Sequence, residues 1–292
     1  MIKFRTTLAV ACLTVLGATL AGVGPAAAAP DVLGKFVYVG DSGQKDLYVA
    51  NPDGTGRMNI TNTPAVNELM PSVAPDGSKV AFVREAAGIW VINLDGTGLT
   101  QLTSNASDLT PDWSPDGSQI VFTRGVSEHD LLKMNADGSN PVKIIENDVD
   151  DETPAWSPDG QWIAFSARPV GMFLVHPDGT GLQSLGSYSY CRKDQAWAPD
   201  SNRFAFTQCE FDGSSNIWVF DLELFSSTQL TPDAGTESQP DWSPDGSTIA
   251  YTKLLRGGTT AVYAIDADGT NQRPITPRSI RLKESDPSWL PA

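Results

Sequence analysis

Five carboxylates recur at one offset in this 292-residue chain, each five places before a Trp-type position: Glu68, Asp108, Asp151, Glu237 and Glu284. Acids repeated in this way could hold a cation, meet a cationic partner, or act in pairs on a glycosidic bond. Glu152 adds a second acid beside Asp151, and Arg168, Arg124 and His129 are the basic groups that could complete an acid–base site with them. The rest of the catalytic inventory is sparse. His129 and His176 fall in different repeats and give no metal-binding spacing. A Gly-x-Ser-x-Gly elbow, a Cys/His pairing and a glycine-rich phosphate loop are all missing from the sequence.

The elements that must position these residues announce themselves by repetition. Val73-Ala-Pro-Asp-Gly77, Trp113-Ser-Pro-Asp-Gly117, Trp156-Ser-Pro-Asp-Gly160, Trp197-Ala-Pro-Asp-Ser201, Trp242-Ser-Pro-Asp-Gly246 and the truncated Trp289-Leu-Pro291 follow one another at 40, 43, 41, 45 and 47 residues. A period in this range, built of short alternating strands, signals a β-propeller. Within one period, Pro111–Ser114, Ser118–Thr123, Leu131–Met134 and Val142–Ile145 read as four antiparallel strands. Second-strand and third-strand cores each occur six times, yet the chain opens on a second strand (Phe36-Val-Tyr38) and closes on a first strand near Trp289. The expectation is an all-β, six-bladed propeller of four-stranded antiparallel blades, with the C-terminal strand completing the N-terminal blade. That closure removes free sheet edges.

Residues 1–28 read as a signal peptide cleaved near 28/29: Lys3 and Arg5, an apolar run from Leu8 to Val23, then Pro25-Ala-Ala-Ala-Ala29. Cys12 lies too early in that run, without the usual preceding Leu, to favour lipid attachment. Residues 29–34 form a short linker and 35–292 one propeller domain, expected to be monomeric and free of transmembrane segments. The formal charge is −15, and losing Lys3 and Arg5 with the leader makes it −17. Such acidity argues against nucleic acid and anionic lipid as partners. The location implied is periplasmic or extracellular.

If Pro-Asp-Gly forms a three-residue hairpin loop, paired residues lie symmetrically about its Asp. Cys191 and Cys209 then stand opposite each other, nine residues either side of Asp200, and an exported chain can oxidise them to a disulfide. The same symmetry sets Glu68 against Arg84, Asp108 against Arg124 and Glu237 against Lys253, pairs that reduce a carboxylate ring at the channel mouth to cross-strand charge pairs. Asp151 faces Ala167 with Arg168 nearby, and Glu284 faces Gly40–Asp41, so these acids and Glu152 stand out for a ligand, cation or partner. No catalytic residue, cofactor or metal is assigned, although a structural calcium ion at the mouth is conceivable chemistry. Asp266-Ala-Asp-Gly-Thr-Asn271 lacks the spacing and distal Glu of a calcium loop, and His176 occupies a turn position.

The motif Pro-x-Trp-Ser-Pro-Asp-Gly, the apolar-Ala-Phe strand, the Asp-Gly turn and the closing Gln101-Leu-Thr103 and Gln229-Leu-Thr231 resemble the WD40-like PD40 repeats of the TolB family. The resemblance spans the whole mature chain. It implies an envelope protein whose six-bladed propeller binds the lipoprotein Pal. The N-terminal α/β domain and the TolA-contacting segment of that family have no counterpart here, so a TolB-like propeller alone is expected. Two functions follow as expectations. One is a non-enzymatic binding or scaffold module that engages a Pal-like or other envelope protein, or a small ligand, at one channel mouth. The other is a secreted lyase or hydrolase with an acid–base site there.

Overall fold

The computed structural model describes residues 34–126, 128–187, 191–232, 235–276 and 283–291, and the leader reading falls outside them. Among the described residues, twenty-four strands β1–β24 form six four-stranded antiparallel sheets. The first blade joins the C-terminal strand β24 (Lys283–Trp289) to β1 (Phe36–Asp41), β2 (Lys45–Ala50) and β3 (Met58–Asn59). The innermost strands of the other blades are β4 (Glu68–Val73), β8 (Asp108–Trp113), β12 (Asp150–Trp156), β16 (Arg192–Trp197) and β20 (Glu237–Trp242). Each innermost strand touches the next, and β24 touches β4, so the ring is closed as expected.

The cores lie between blades rather than within them. Ala74, Ala81, Ile89 and Val91 of the second blade pack against Trp113, Ile120, Phe122 and Met134 of the third. At three of the seams the recurring tryptophan also makes a polar link. The indole N–H of Trp113 donates to the Ser72 carbonyl (3.1 Å), that of Trp197 to Ala155 (3.0 Å) and that of Trp289 to Asp241 (3.2 Å). Trp113→Phe keeps the apolar contact and removes the indole bond to the buried Ser72 carbonyl, an expected loss of about 0.5–1.5 kcal/mol. Urea unfolding tests this, and a variant as stable as the parent would remove the indole bond from the account.

The hairpin turn differs from expectation by one residue. Ala74 N–H donates to the Lys79 carbonyl (2.9 Å) and Gly77 N–H to the Ala74 carbonyl (2.8 Å), so the loop is Pro75–Ser78, four residues rather than three. A β-bulge then shifts the register by one between Leu69 and Ser72, and an equivalent shift occurs in all six blades. The two one-residue differences cancel, so pairing beyond the bulge is symmetric about the turn Asp after all. Glu68 faces Arg84, Asp108 faces Arg124 and Glu237 faces Lys253. Cys191 and Cys209 are disulfide-bonded, with Cα atoms 5.3 Å apart.

The bulge has a recognisable cause. Met70, Thr110, Thr153, Asp194, Gln239 and Asp286 all adopt left-handed backbone, with φ from 47° to 57°. A proline follows five of them, at 71, 111, 154, 240 and 287. Proline disfavours right-handed helix in its predecessor and brings no N–H needing a ladder partner, so the unpaired bulge falls there.

Candidate functional site at the channel mouth

The six left-handed residues form a collar around the central channel. They line both an inner cavity of about 280 Å³ and an outer cavity of about 320 Å³ at the end where the innermost strands begin. We call that end the loop face. The Ser-Pro-Asp-Gly turns close the opposite end, the turn face. There Asp76, Asp116 and Asp245 are held below their usual range by hydrogen bonds from their own turns, as Ser114 and Ser118 do for Asp116.

Inside the channel stand two carboxylates that sequence reasoning passed over. Asp112 accepts the Trp156 N–H at 2.7 Å and the Ser72 hydroxyl at 2.9 Å, and Asp241 accepts the Trp289 N–H at 2.7 Å. Each therefore ties its own blade to a neighbour. Burial pushes Asp112 up to about 6, and burial together with the Asp112 charge pushes Asp241 up to about 7. In the collar, burial raises Asp194 and lifts Asp286 to about 6. The available signal was a polar residue between Pro and Trp, in Pro111-Asp-Trp113 and Pro240-Asp-Trp242.

The recurring acids do not ring the mouth. Glu68, Asp108, Asp151, Glu237 and Glu284 are all buried, and none lines the channel cavities described. Strand alternation sends them into the blades. There Arg84 meets Glu68 at 3.2 Å, Arg124 meets Asp108 at 2.5 Å and Lys253 meets Glu237 at 3.0 Å. Glu284, expected to be unpartnered, is met by Arg57 at 3.3 Å. Arg57 lies between β2 and β3, outside the first hairpin, so hairpin register could not reveal it. Asp151 has no ion pair among the described residues. The Asn147 amide donates to both its oxygens at 3.1 Å, and burial pushes its carboxyl up to about 7.

What reaches the mouth is a different constellation. His129 begins β10 (His129–Asn135), and its Nδ1 lies 2.6 Å from Asp150 Oδ1, which also accepts the His129 backbone N–H at 2.9 Å. Arg168 ends β13 (Ile163–Arg168), and its Nη2 lies 3.2 Å from Asp150 Oδ2 and also bonds Glu152. His129, Glu152, Arg168 and Lys193 line the outer cavity. Burial opposes the Asp150 charge, but the His129 hydrogen bonds outweigh it and hold that carboxyl below its usual range. Burial wins at Glu152, which is raised despite Arg168. The structure thus brings together Glu152, Arg168 and His129, sends Asp151 elsewhere, and leaves Arg124 with Asp108. Asp150 was the residue missed, although it lies opposite Arg168 across the turn Asp and two places from Glu152, on the same side of the strand.

Around this mouth, the loops joining second to third strands vary from blade to blade. In three consecutive blades they carry exposed apolar side chains, Val126 at 91%, Val170 at 39% and Phe211 at 83%, and in the next blade Leu254, at 42%, ends the strand that leads into the loop. The corresponding tips of the first two blades, Ser42-Gly-Gln44 and Glu85-Ala-Ala87, are polar or small.

Comparison with known proteins agrees with this architecture. The family profile for the TolB beta propeller domain (PD40) matches residues 35–173 and 124–292. A TolB homolog of Chlorobium luteolum is 39% identical over 62 residues, a match spanning 20% of this chain and 14% of the relative's length. TolB from Acinetobacter baumannii superposes with a TM-score of 0.73 at 18% identity, covering 89% of this chain and 67% of that one. An oligogalacturonate lyase solved with manganese gives a TM-score of 0.60 at 16% identity, over 83% of this chain and 74% of that one, a likeness of fold alone. With its profile matches running from residue 35 to the C-terminus, this chain belongs to the TolB β-propeller domain family.

Proposed function

We propose that this chain is an exported, non-enzymatic binding propeller of the cell envelope that engages a protein partner, Pal-like or other, on its loop face. The observation that carries this reading is the arc of exposed Val126, Val170 and Phe211 on adjacent hairpin tips beside the mouth, with Leu254 at the strand end of the next blade. Exposed apolar groups on neighbouring tips beside a cavity mouth, with an aromatic among them, have the composition of an interface core. The disulfide and the leader-like N-terminus support export. Pull-down from an envelope fraction tests the reading with Val126→Asp/Phe211→Asp and, as a control, Leu224→Asp on the turn face. The loop-face pair should lose the partner and the control retain it. Equal capture by all three proteins would refute the loop face as the docking surface.

A second reading, a propeller lyase or hydrolase, draws on one observation: the His129 imidazole is oriented by Asp150 beside Glu152 and Arg168 in an open cavity. The fold likeness to an oligogalacturonate lyase names a first substrate to assay. Unsaturated product formed by the wild type and abolished in His129→Ala would displace the binding reading.

A further inference from the structure

We infer that His129, Asp150 and Glu152 form a binding site for a divalent transition-metal ion, zinc or manganese, in which Arg168 is the exchangeable resident cation. The donors come from two neighbouring blades. His129 opens β10, whereas Asp150 and Glu152 are alternate residues of β12 and so project to one side of that strand. Their ligand atoms all lie within 4.8 Å of one another. Metal–ligand bonds of about 2.0–2.2 Å place opposed donors up to about 4.4 Å apart, so a small inward movement suffices. An imidazole with two carboxylates suits zinc or manganese, while calcium and magnesium prefer oxygen donors throughout. The outer cavity beside His129 and Glu152 has room for water to complete the coordination.

Arg168 shows that this spot favours positive charge. Its Nη2 alone contacts both Asp150 and Glu152, and its side chain is 54% exposed. This is not the two-pronged guanidinium–carboxylate geometry that makes such pairs strong. Half-exposed pairs of this kind contribute little to stability, so Arg168 can leave for solvent at small cost. A divalent ion arriving in its place neutralises both carboxylates, which a single guanidinium does not.

The test is independent of whether a protein partner docks. Untagged mature protein is titrated calorimetrically with zinc chloride, manganese chloride and, for comparison, calcium chloride. One zinc or manganese ion should bind per chain, more tightly than calcium. His129→Ala and Glu152→Gln should each weaken that binding by at least the about ten-fold that losing even an outer partner of a metal ligand costs. Arg168→Gln, which removes the competitor and leaves every donor in place, should tighten it. Thermal melts of each variant without metal confirm folding. Zinc and manganese binding unchanged in His129→Ala and Glu152→Gln would overturn the site. Equal or weaker binding in a folded Arg168→Gln would overturn the exchange.

Discussion

Asp151→Asn is expected to stabilise the propeller by about 2–4 kcal/mol at pH 8, from roughly 1.4 kcal/mol for each tenfold change in proton affinity on folding, and to leave its stability at pH 4 almost unchanged. Asp151 is fully buried, and Asn147 is its sole hydrogen-bond partner among the described residues. Burial, only partly offset by Asn147, lifts the folded-state carboxyl to about 7. An unfolded Asp titrates near 3.9. Between those values the folded chain holds a proton that the unfolded chain has released, so stability falls as pH rises through this window and the loss is complete above about 7. Asparagine has no charge to desolvate. Its amide can also donate to Asn147 Oδ1, a buried atom without a partner among the described residues. Asp112, Asp241 and Asp286 are raised in the same direction, so the wild-type melting temperature should fall between pH 5 and pH 8. Urea unfolding of both proteins at pH 4 and pH 8 checks this. An Asp151→Asn protein less stable than the parent at pH 8 would mean that the buried group works as a carboxylate.

Removing the disulfide by Cys191→Ser/Cys209→Ser should cost about 3 kcal/mol in the chain-entropy account, given its sequence separation of 18. Both cysteines sit at the loop-face end of the first hairpin of the fifth blade, and Cys209 N–H donates to the Cys191 carbonyl at 2.9 Å. That hairpin has a less favourable turn than its counterparts. Ser201 holds φ of 57° in the place of the left-handed Gly77, Gly117, Gly160 and Gly246. Its hydroxyl is not idle, because it accepts the Asp159 N–H of the preceding blade at 3.0 Å. The cross-link therefore secures the blade whose turn gives up some local stability for a contact between blades. Reduction of the wild type should reproduce the double variant's loss in urea unfolding. A double variant as stable as the oxidised parent would show that the bridge constrains little.

The blades were legible because Trp, Pro, Asp and Gly each perform a local task that recurs at a fixed spacing. The bulge was not, because its left-handed positions carry Met, Thr, Asp and Gln where glycine would have announced them. The proline that follows was the available sign. Register located the cysteine pair and three charge pairs, since all of these are cross-strand neighbours in one hairpin. It was silent on Arg57, which approaches Glu284 from outside that hairpin, and on Asp112 and Asp241, whose partners belong to neighbouring blades. At the mouth, counting back from the tryptophan singled out Asp151, whereas strand alternation turns Asp150 and Glu152 outward together and Asp151 into the blade.

The central claim is that the loop face, rather than the regular turn face, meets the partner. Hydrogen–deuterium exchange of the chain with and without its captured partner measures this most directly. Slowed exchange is predicted at the hairpin tips around Val126, Val170 and Phe211, with the Ser-Pro-Asp-Gly turns unaffected. Slowed exchange confined to those turns would contradict it.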